Sequence, residues 1–235
     1  MPHGSRYRVV GYSPPMCFSA QADGVAGIVV AAIGVDAYRH LRGRSDHFLL
    51  ATLPLLLGAH QLVEVFVWWG LQGHVSHEVG RVALWIYLFI AFVVLPVFVP
   101  LAVMALEPTS QRKWRMAPFV AVGAVVAAVL FTAMVRSPIS AALRPWHLSY
   151  NVRMDHGVLV VGLYVAAICG SLLFSGYRHI ALFGLGNAIV VVLLAKLTAD
   201  GFASLWCIYA AASAGSIALH MRYARPHRQT PYVLT

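Results

Sequence analysis

The two residues best placed to do chemistry are a histidine and a glutamate, one helical turn apart in an apolar segment. His60 and Glu64 are the only ionisable residues between His47 and His74. Because residues four apart on an α-helix share one face, we expect the imidazole and the carboxylate to lie on the same side. Ionisable side chains inside a membrane helix are costly and usually mark a functional site. The pair therefore predicts a metal site, a proton relay or a polar contact with a neighbouring helix.

The composition indicates the environment in which this pair lies. Of the 235 residues, 60% are hydrophobic and 11% are charged, and the mean hydropathy is +0.75. Such a chain predicts an all-α integral membrane bundle of about seven transmembrane helices, with no soluble domain attached. The predicted spans are residues 20–38, 48–71, 82–106, 116–135, 157–174, 180–198 and 202–221. The predicted domains are a disordered tail (1–15), the membrane domain (16–222) and a basic cytoplasmic tail (223–235).

The distribution of lysine and arginine predicts the orientation of the bundle. Short cytoplasmic loops carry an excess of these residues. One side of the predicted bundle holds Arg39, Arg42, Arg44, Arg112, Lys113, Arg115, Arg178, Arg222, Arg225 and Arg228. We therefore expect the N-terminus outside and the C-terminus in the cytoplasm, in a multi-pass protein of the cell membrane. The net charge of +9 reflects this bias and attraction to lipid headgroups, so no nucleic-acid partner is predicted.

The predicted topology brings other reactive side chains to the level of the pair, in the outer half of the bundle. Cys17, Asp200 and Cys207 arrive there from other segments, and His156 opens the fifth span. If translation starts at Met16, removal of that residue would leave Cys17 with a free amine beside its thiol. With His60 and Glu64 these residues form a candidate metal shell, for zinc, copper or haem iron, in which His60 and Glu64 are the catalytic residues. An outward-facing polar cavity is predicted.

Three short motifs carry a family resemblance. They are Met16-Cys17-Phe18-Ser19-Ala20, His60-Gln61-x-x-Glu64 with Trp68 close behind, and Ser204-Leu205-Trp206-Cys207. Together they resemble a family of small bacterial multi-pass membrane proteins of unknown function that open with Met-Cys-Phe-Ser. The resemblance implies a helical membrane fold and names no reaction. In outline the chain is also similar to the alkaline ceramidase superfamily, although His220 lacks the second histidine that those hydrolases place four residues away.

Three classes of function stay open at this point. The first is a metal-dependent membrane enzyme, for example a hydrolase. The second is a non-catalytic accessory or structural subunit, with membrane protein partners or a second copy of the chain. The third is a proton-coupled transporter or sensor. Because Lys196 lies at the end of its span, a retinal Schiff base is not predicted.

Four smaller predictions concern the surroundings of the site. Tryptophans at helix ends predict an interfacial aromatic belt, formed by Trp68, Trp69, Trp85, Trp114 and Trp146. Pro96 and Pro100 predict a kinked or locally unwound third span. Asp155 and His156 are expected to cap the fifth span. The loop 136–154, the longest in the chain, is either a lid over the cavity or a connector.

Overall fold

Helices make up most of the described chain. The computed structural model describes residues 19–41, 45–144, 148–197, 212–219 and 221. The helices are α1 (Ala20–Arg39), α2 (Phe48–Gln72), α3 (His77–Phe89), α4 (Leu95–Leu106), α5 (Ser110–Arg136), α6 (Gly157–Leu173) and α7 (Arg178–Leu197). A 3₁₀ turn (Ser45–His47) precedes α2, a π-helical turn (Ile90–Val94) joins α3 to α4, and residues 212–219 are helical.

Four of the helical segments are long and apolar enough to cross a membrane. They are Ala20–Arg39, Ser45–Gln72, His77–Leu106 and Ser110–Arg136, while Gly157–Leu173 and Arg178–Val192 are shorter apolar helices. Large apolar side chains such as Val25, Ile28 and Val158 are exposed on the outside of the bundle, as expected for residues that face lipid. The described chain is therefore helical, with four segments whose length and composition suit a membrane protein. The described parts of all seven predicted spans are helical.

Glycines allow the first three helices to pack closely. A Cβ atom added at Gly58 of α2 would lie 2.7 Å from the backbone nitrogen of Ala31 in α1. One added at Gly70 of α2 would lie 2.5 Å from the Cα atom of Gly80 in α3. Side-chain contacts are normally longer than 3 Å, so these positions require a residue without a side chain. The close packing fixes the side chains of α1, α2 and α3 relative to one another.

The predicted distortion of the third span is a π-helical turn immediately before Pro96. Inside this turn the N–H of Leu95 donates to the carbonyl oxygen of Ile90, five residues back. Pro96 has no N–H with which to continue the pattern onto Ala91. The hydroxyl of Tyr164 in α6 donates instead to the carbonyl oxygen of Ala91, at 2.8 Å. The prediction is confirmed at Pro96, where a neighbouring helix satisfies the freed carbonyl, whereas Pro100 lies inside the regular helix α4.

The loop between α5 and α6 adds a short β-hairpin to the otherwise helical fold. Strands β1 (Ser140–Leu143) and β2 (Leu148–Asn151) pair antiparallel, with Ala141 opposite Tyr150. Leu148 is 1% exposed and joins an apolar cluster with Trp68 of α2 and Leu88 of α3. Side chains two apart in a strand share a face, so Tyr150 lies on the same side as Leu148. The hairpin therefore covers one end of the bundle, here called the hairpin end.

Candidate functional site

Two carboxylates from neighbouring helices meet inside the hairpin end. Asp23 lies in the first turn of α1, and Glu64 lies two turns before the end of α2; the two residues are 8% and 4% exposed. The indole nitrogen of Trp68 donates to Oδ2 of Asp23 at 2.7 Å. The two carboxyl groups are close enough to interact electrostatically. Because like charges repel strongly away from water, the pair favours a state in which one group is neutral.

Two tyrosines complete the surroundings of Glu64. The hydroxyl of Tyr150 donates to Oε1 of Glu64 at 2.7 Å, and the side chain of Tyr87 also interacts with Glu64. Burial raises the pKa of Tyr150 well above its usual value, so its hydroxyl keeps its proton and remains a donor. The hairpin thus supplies a hydrogen bond to the buried carboxyl group as well as a cover.

His60 is held by the third span. Its Nε2 atom lies 3.2 Å from the carbonyl oxygen of Tyr87, so Nε2 carries the proton and donates. The imidazole stacks on the ring of Tyr87 at 4.0 Å, and Tyr87 stacks on Tyr150 at 4.8 Å. His60 and Glu64 share a helix face as predicted, and aromatic rings connect them to the hairpin. The two residues share Tyr87 as a partner within one cluster.

Gln61 adds a buried acceptor on the same helix. It is 1% exposed, and its Oε1 atom has no hydrogen-bond partner among the described residues. A buried amide oxygen of this kind costs free energy unless something donates to it. The segment from His60 to Glu64 therefore has three buried polar side chains within about one helical turn.

The structure describes only some residues of the predicted metal shell. Cys17, Asp200 and Cys207 lie outside the described residues. His156 is exposed at the start of α6, where it has a positive φ of 55° and its side chain makes no capping hydrogen bond. Within the described ranges, no group of three or more His, Cys, Asp or Glu side chains is placed to hold a metal ion. Metal binding stays a prediction, and capping of α6 by the His156 side chain is wrong.

The structure also corrects the role of one tryptophan. Trp69 and Trp114 are 36% and 77% exposed, as an interfacial belt requires, whereas Trp68 is 6% exposed and bonds to Asp23. Trp68 is therefore part of the site. Asp23, Tyr87 and Tyr150 were not predicted as site residues. In the sequence, Asp23 is marked by being an acidic residue in the first turn of an apolar helix. Tyr87 and Tyr150 carry no comparable signal.

A third buried carboxylate lies at the opposite end of the bundle. Glu107, which follows α4, is 2% exposed. Its Oε1 atom accepts from the hydroxyl of Ser175 at 2.9 Å and from the backbone N–H of Gly176 at 2.8 Å. The guanidinium of Arg112 lies 3.8 Å from Oε2. Glu107 thus joins the loop before α5 to the loop before α7, and the prediction that polar groups converge on one end is incomplete.

Comparison with known proteins agrees with the motifs. A family described as "Family of unknown function (DUF6629)" matches residues 16–232, and the match begins at Met16, where the Met-Cys-Phe-Ser motif begins. No curated protein and no solved structure matches the chain. The outline similarity to the alkaline ceramidase superfamily is therefore not supported by a match.

Proposed function

The chain belongs to the DUF6629 family of unknown function, and we propose that it is a multi-pass protein of the bacterial inner membrane that couples proton binding at Glu64 to transport or sensing. The observation that carries the proposal is the meeting of two buried carboxyl groups, Asp23 and Glu64, beneath a hairpin that donates a hydrogen bond to one of them. Ionisable pairs of this kind inside membrane helices serve proton relays.

The charge balance of the pair supports proton binding. An isolated ionised carboxylate pays a large desolvation cost in an apolar interior. Among the described residues, the groups that act on Glu64 are Asp23, Tyr87 and Tyr150, and none of these three is a cation. A proton on Glu64 removes the repulsion from Asp23 and still leaves an oxygen to accept from Tyr150. We therefore expect Glu64 to hold a proton while Tyr150 is hydrogen-bonded to it.

The hairpin supplies a route for that proton. Tyr150 covers Glu64. It belongs to β2, in the loop that connects α5 to α6 outside the spans. Displacement of the hairpin would break this hydrogen bond and admit water to the carboxyl pair, and the proton could then leave. The excess of lysine and arginine on the opposite side of the predicted topology favours an extracellular hairpin and a cytoplasmic C-terminus.

The first experiment is infrared difference spectroscopy of the protein in nanodiscs as the pH is changed. We expect a carboxylic acid carbonyl band in the wild type that disappears in Glu64→Gln. Glu78→Gln is the matched control, because Glu78 is an exposed glutamate that pairs with Arg81. A spectrum that is the same in the wild type and Glu64→Gln would refute protonation of Glu64.

The second experiment tests coupling to function. Proteoliposomes that contain a pH-sensitive dye report proton movement across the bilayer after a pH jump. A transporter predicts a flux that Glu64→Gln abolishes and Glu78→Gln retains. A sensor predicts no flux but a pH-dependent change in protease access to the hairpin, again absent in Glu64→Gln. If neither response differs between the wild type and Glu64→Gln, Glu64 has a structural role and the proposal fails.

A metal-dependent hydrolase is the second candidate, favoured by the orientation of His60. Histidines that bind metals commonly donate their other ring N–H to a carbonyl or carboxylate, and His60 donates to the carbonyl oxygen of Tyr87. Glu64 would be the second ligand, and Cys17, Asp200 or Cys207 would complete a zinc or copper site. Elemental analysis of the wild type beside His60→Ala and Glu64→Ala tests this. A metal-free wild type, or equal metal content in all three, rules it out.

A further inference from the structure

The half of the bundle away from the hairpin contains an apolar cavity of about 440 Å³. Leucines and valines of α2 and α4 form one wall, with Ile168 and Leu172 of α6 beside them. Residues of α7 and of the helical segment 212–219 form the other wall. The volume lies within the range of small-molecule sites, roughly 300–1,000 Å³. The described lining shares no residue with the carboxylate site, so this is a separate compartment.

The cavity opens sideways, toward the lipid. Leu182 of α7 and Ser216 both line it and are both exposed on the surface of the bundle. Side chains exposed on the flank of a membrane bundle face lipid chains. A space of this size with a mostly apolar lining admits an aliphatic chain. Ligands would therefore enter from the bilayer.

One buried polar group inside the cavity has no partner in the described part of the chain. Asn187 is 4% exposed and lines the cavity, and it makes no hydrogen bond to another described residue. A carboxamide both donates and accepts, and burying it unsatisfied is costly. The described lining contains no Asp, Glu, Lys or Arg, and His179 is its one titratable side chain. The cavity therefore suits a ligand with an apolar chain and an uncharged polar group.

We propose that this cavity binds a membrane-soluble ligand made of one aliphatic chain and a neutral hydrogen-bonding group. The chain lies among α2, α4 and α6, and the polar group lies against Asn187. This site is independent of the proton site, because its ligand contacts none of Asp23, His60 or Glu64. The proposal can therefore fail or succeed whatever the role of Glu64.

The test uses a hexadecanol that carries a photoactivatable diazirine on its chain, with the full-length protein in nanodiscs. We expect cross-links to cavity residues of α4 and α6, and competition by unlabelled hexadecanol. Leu182→Trp and Ser216→Trp narrow the mouth and should abolish those cross-links. Leu185→Trp is the matched control, because Leu185 is a lipid-exposed residue of α7 outside the cavity lining. Equal cross-linking in Leu182→Trp and Leu185→Trp would overturn the proposal.

The polar group is tested by comparing two competitors of equal chain length. In the wild type we expect hexadecanol to compete better than hexadecane, by roughly two- to twelvefold, the contribution of one net hydrogen bond. Asn187→Leu should abolish this preference and leave competition by hexadecane unchanged. If both alcohols and alkanes compete equally in the wild type, Asn187 does not bind a polar group and the assignment is wrong.

Discussion

Replacing Tyr150 by phenylalanine removes one hydroxyl and tests the charge of Glu64. The hydroxyl lies 2.7 Å from Oε1 of Glu64. The phenyl ring that remains can still stack on Tyr87, which lies 4.8 Å away between ring centres. Leu148, two residues earlier on the same face of the strand, still anchors the hairpin. Most of the change in stability therefore comes from the lost contacts of the hydroxyl, the hydrogen bond to Glu64 and the interaction with Tyr87.

The size of the loss depends on whether Glu64 carries a proton. A hydrogen bond between neutral groups contributes about 0.5–1.5 kcal/mol, and one to a charged group about 1.5–3 kcal/mol. With a neutral Glu64, we expect Tyr150→Phe to lower the free energy of unfolding by about 1 kcal/mol. The glutamine of Glu64→Gln presents a similar neutral carbonyl oxygen. The cost of Tyr150→Phe should therefore be the same in the wild type and in Glu64→Gln.

The measurement is a double-mutant cycle at pH 7, by reversible unfolding in mixed micelles of a mild detergent and SDS. Tyr38→Phe is the control, because Tyr38 is an exposed tyrosine of α1, and it should change stability by less than about 0.5 kcal/mol. A cost above about 1.5 kcal/mol in the wild type that falls to about 1 kcal/mol in Glu64→Gln would mean that Glu64 is ionised. That result would refute the proposed proton site.

Three further predictions follow from other contacts. If Glu64 keeps its proton in the folded state and releases it in the unfolded chain, the free energy of unfolding falls as the pH rises above the usual pKa of glutamate. The expected slope is about 1.4 kcal/mol per pH unit, and Glu64→Gln should lack it. At Gly123 an added Cβ would lie 1.9 Å from a backbone oxygen of α4, so Gly123→Ala should cost about 1–3 kcal/mol. Gly162 has open space around it, so Gly162→Ala should change the free energy of unfolding by less than about 1 kcal/mol. Equal costs in Gly123→Ala and Gly162→Ala would contradict the close packing at Gly123. Ser175→Ala removes a donor to buried Glu107, so it should lower the free energy of unfolding by about 1–3 kcal/mol. An unchanged melting temperature would contradict that role of Ser175.

Several features of the fold could be predicted from local sequence. Whether a segment spans a membrane depends on its length and apolar content, so the helices follow from composition along the chain. The π-helical turn before Pro96 is predictable for a similar reason, because the missing N–H is a property of that residue. His60 and Glu64 could be singled out because ionisable groups are rare in apolar helices. The hairpin was missed because its strands are only four residues each, too short to show an alternating pattern.

The partners of the site residues could not be predicted in this way. Trp68 looked interfacial because it stands near a helix end, yet it bonds to Asp23, 45 residues earlier in the chain. Tyr150 reaches Glu64 across 86 residues of sequence. Glu107 was not predicted to be buried, because it follows a helix, where a solvated carboxylate is common. In each case the deciding fact is which surfaces the helices bury against one another.

The sequence by itself determined that the chain belongs in a membrane, where most of its helices lie, and that His60 and Glu64 are unusual in that setting. These conclusions need only the cost of placing each residue in hydrocarbon, which is a local property. The tertiary structure decided that Asp23 faces Glu64, that Tyr150 covers it, and that Asn187 lies in a separate cavity. The contacts of Glu64 depend on close approach between α1, α2 and α3, which Gly58, Gly70 and Gly80 allow, and no single segment contains that information.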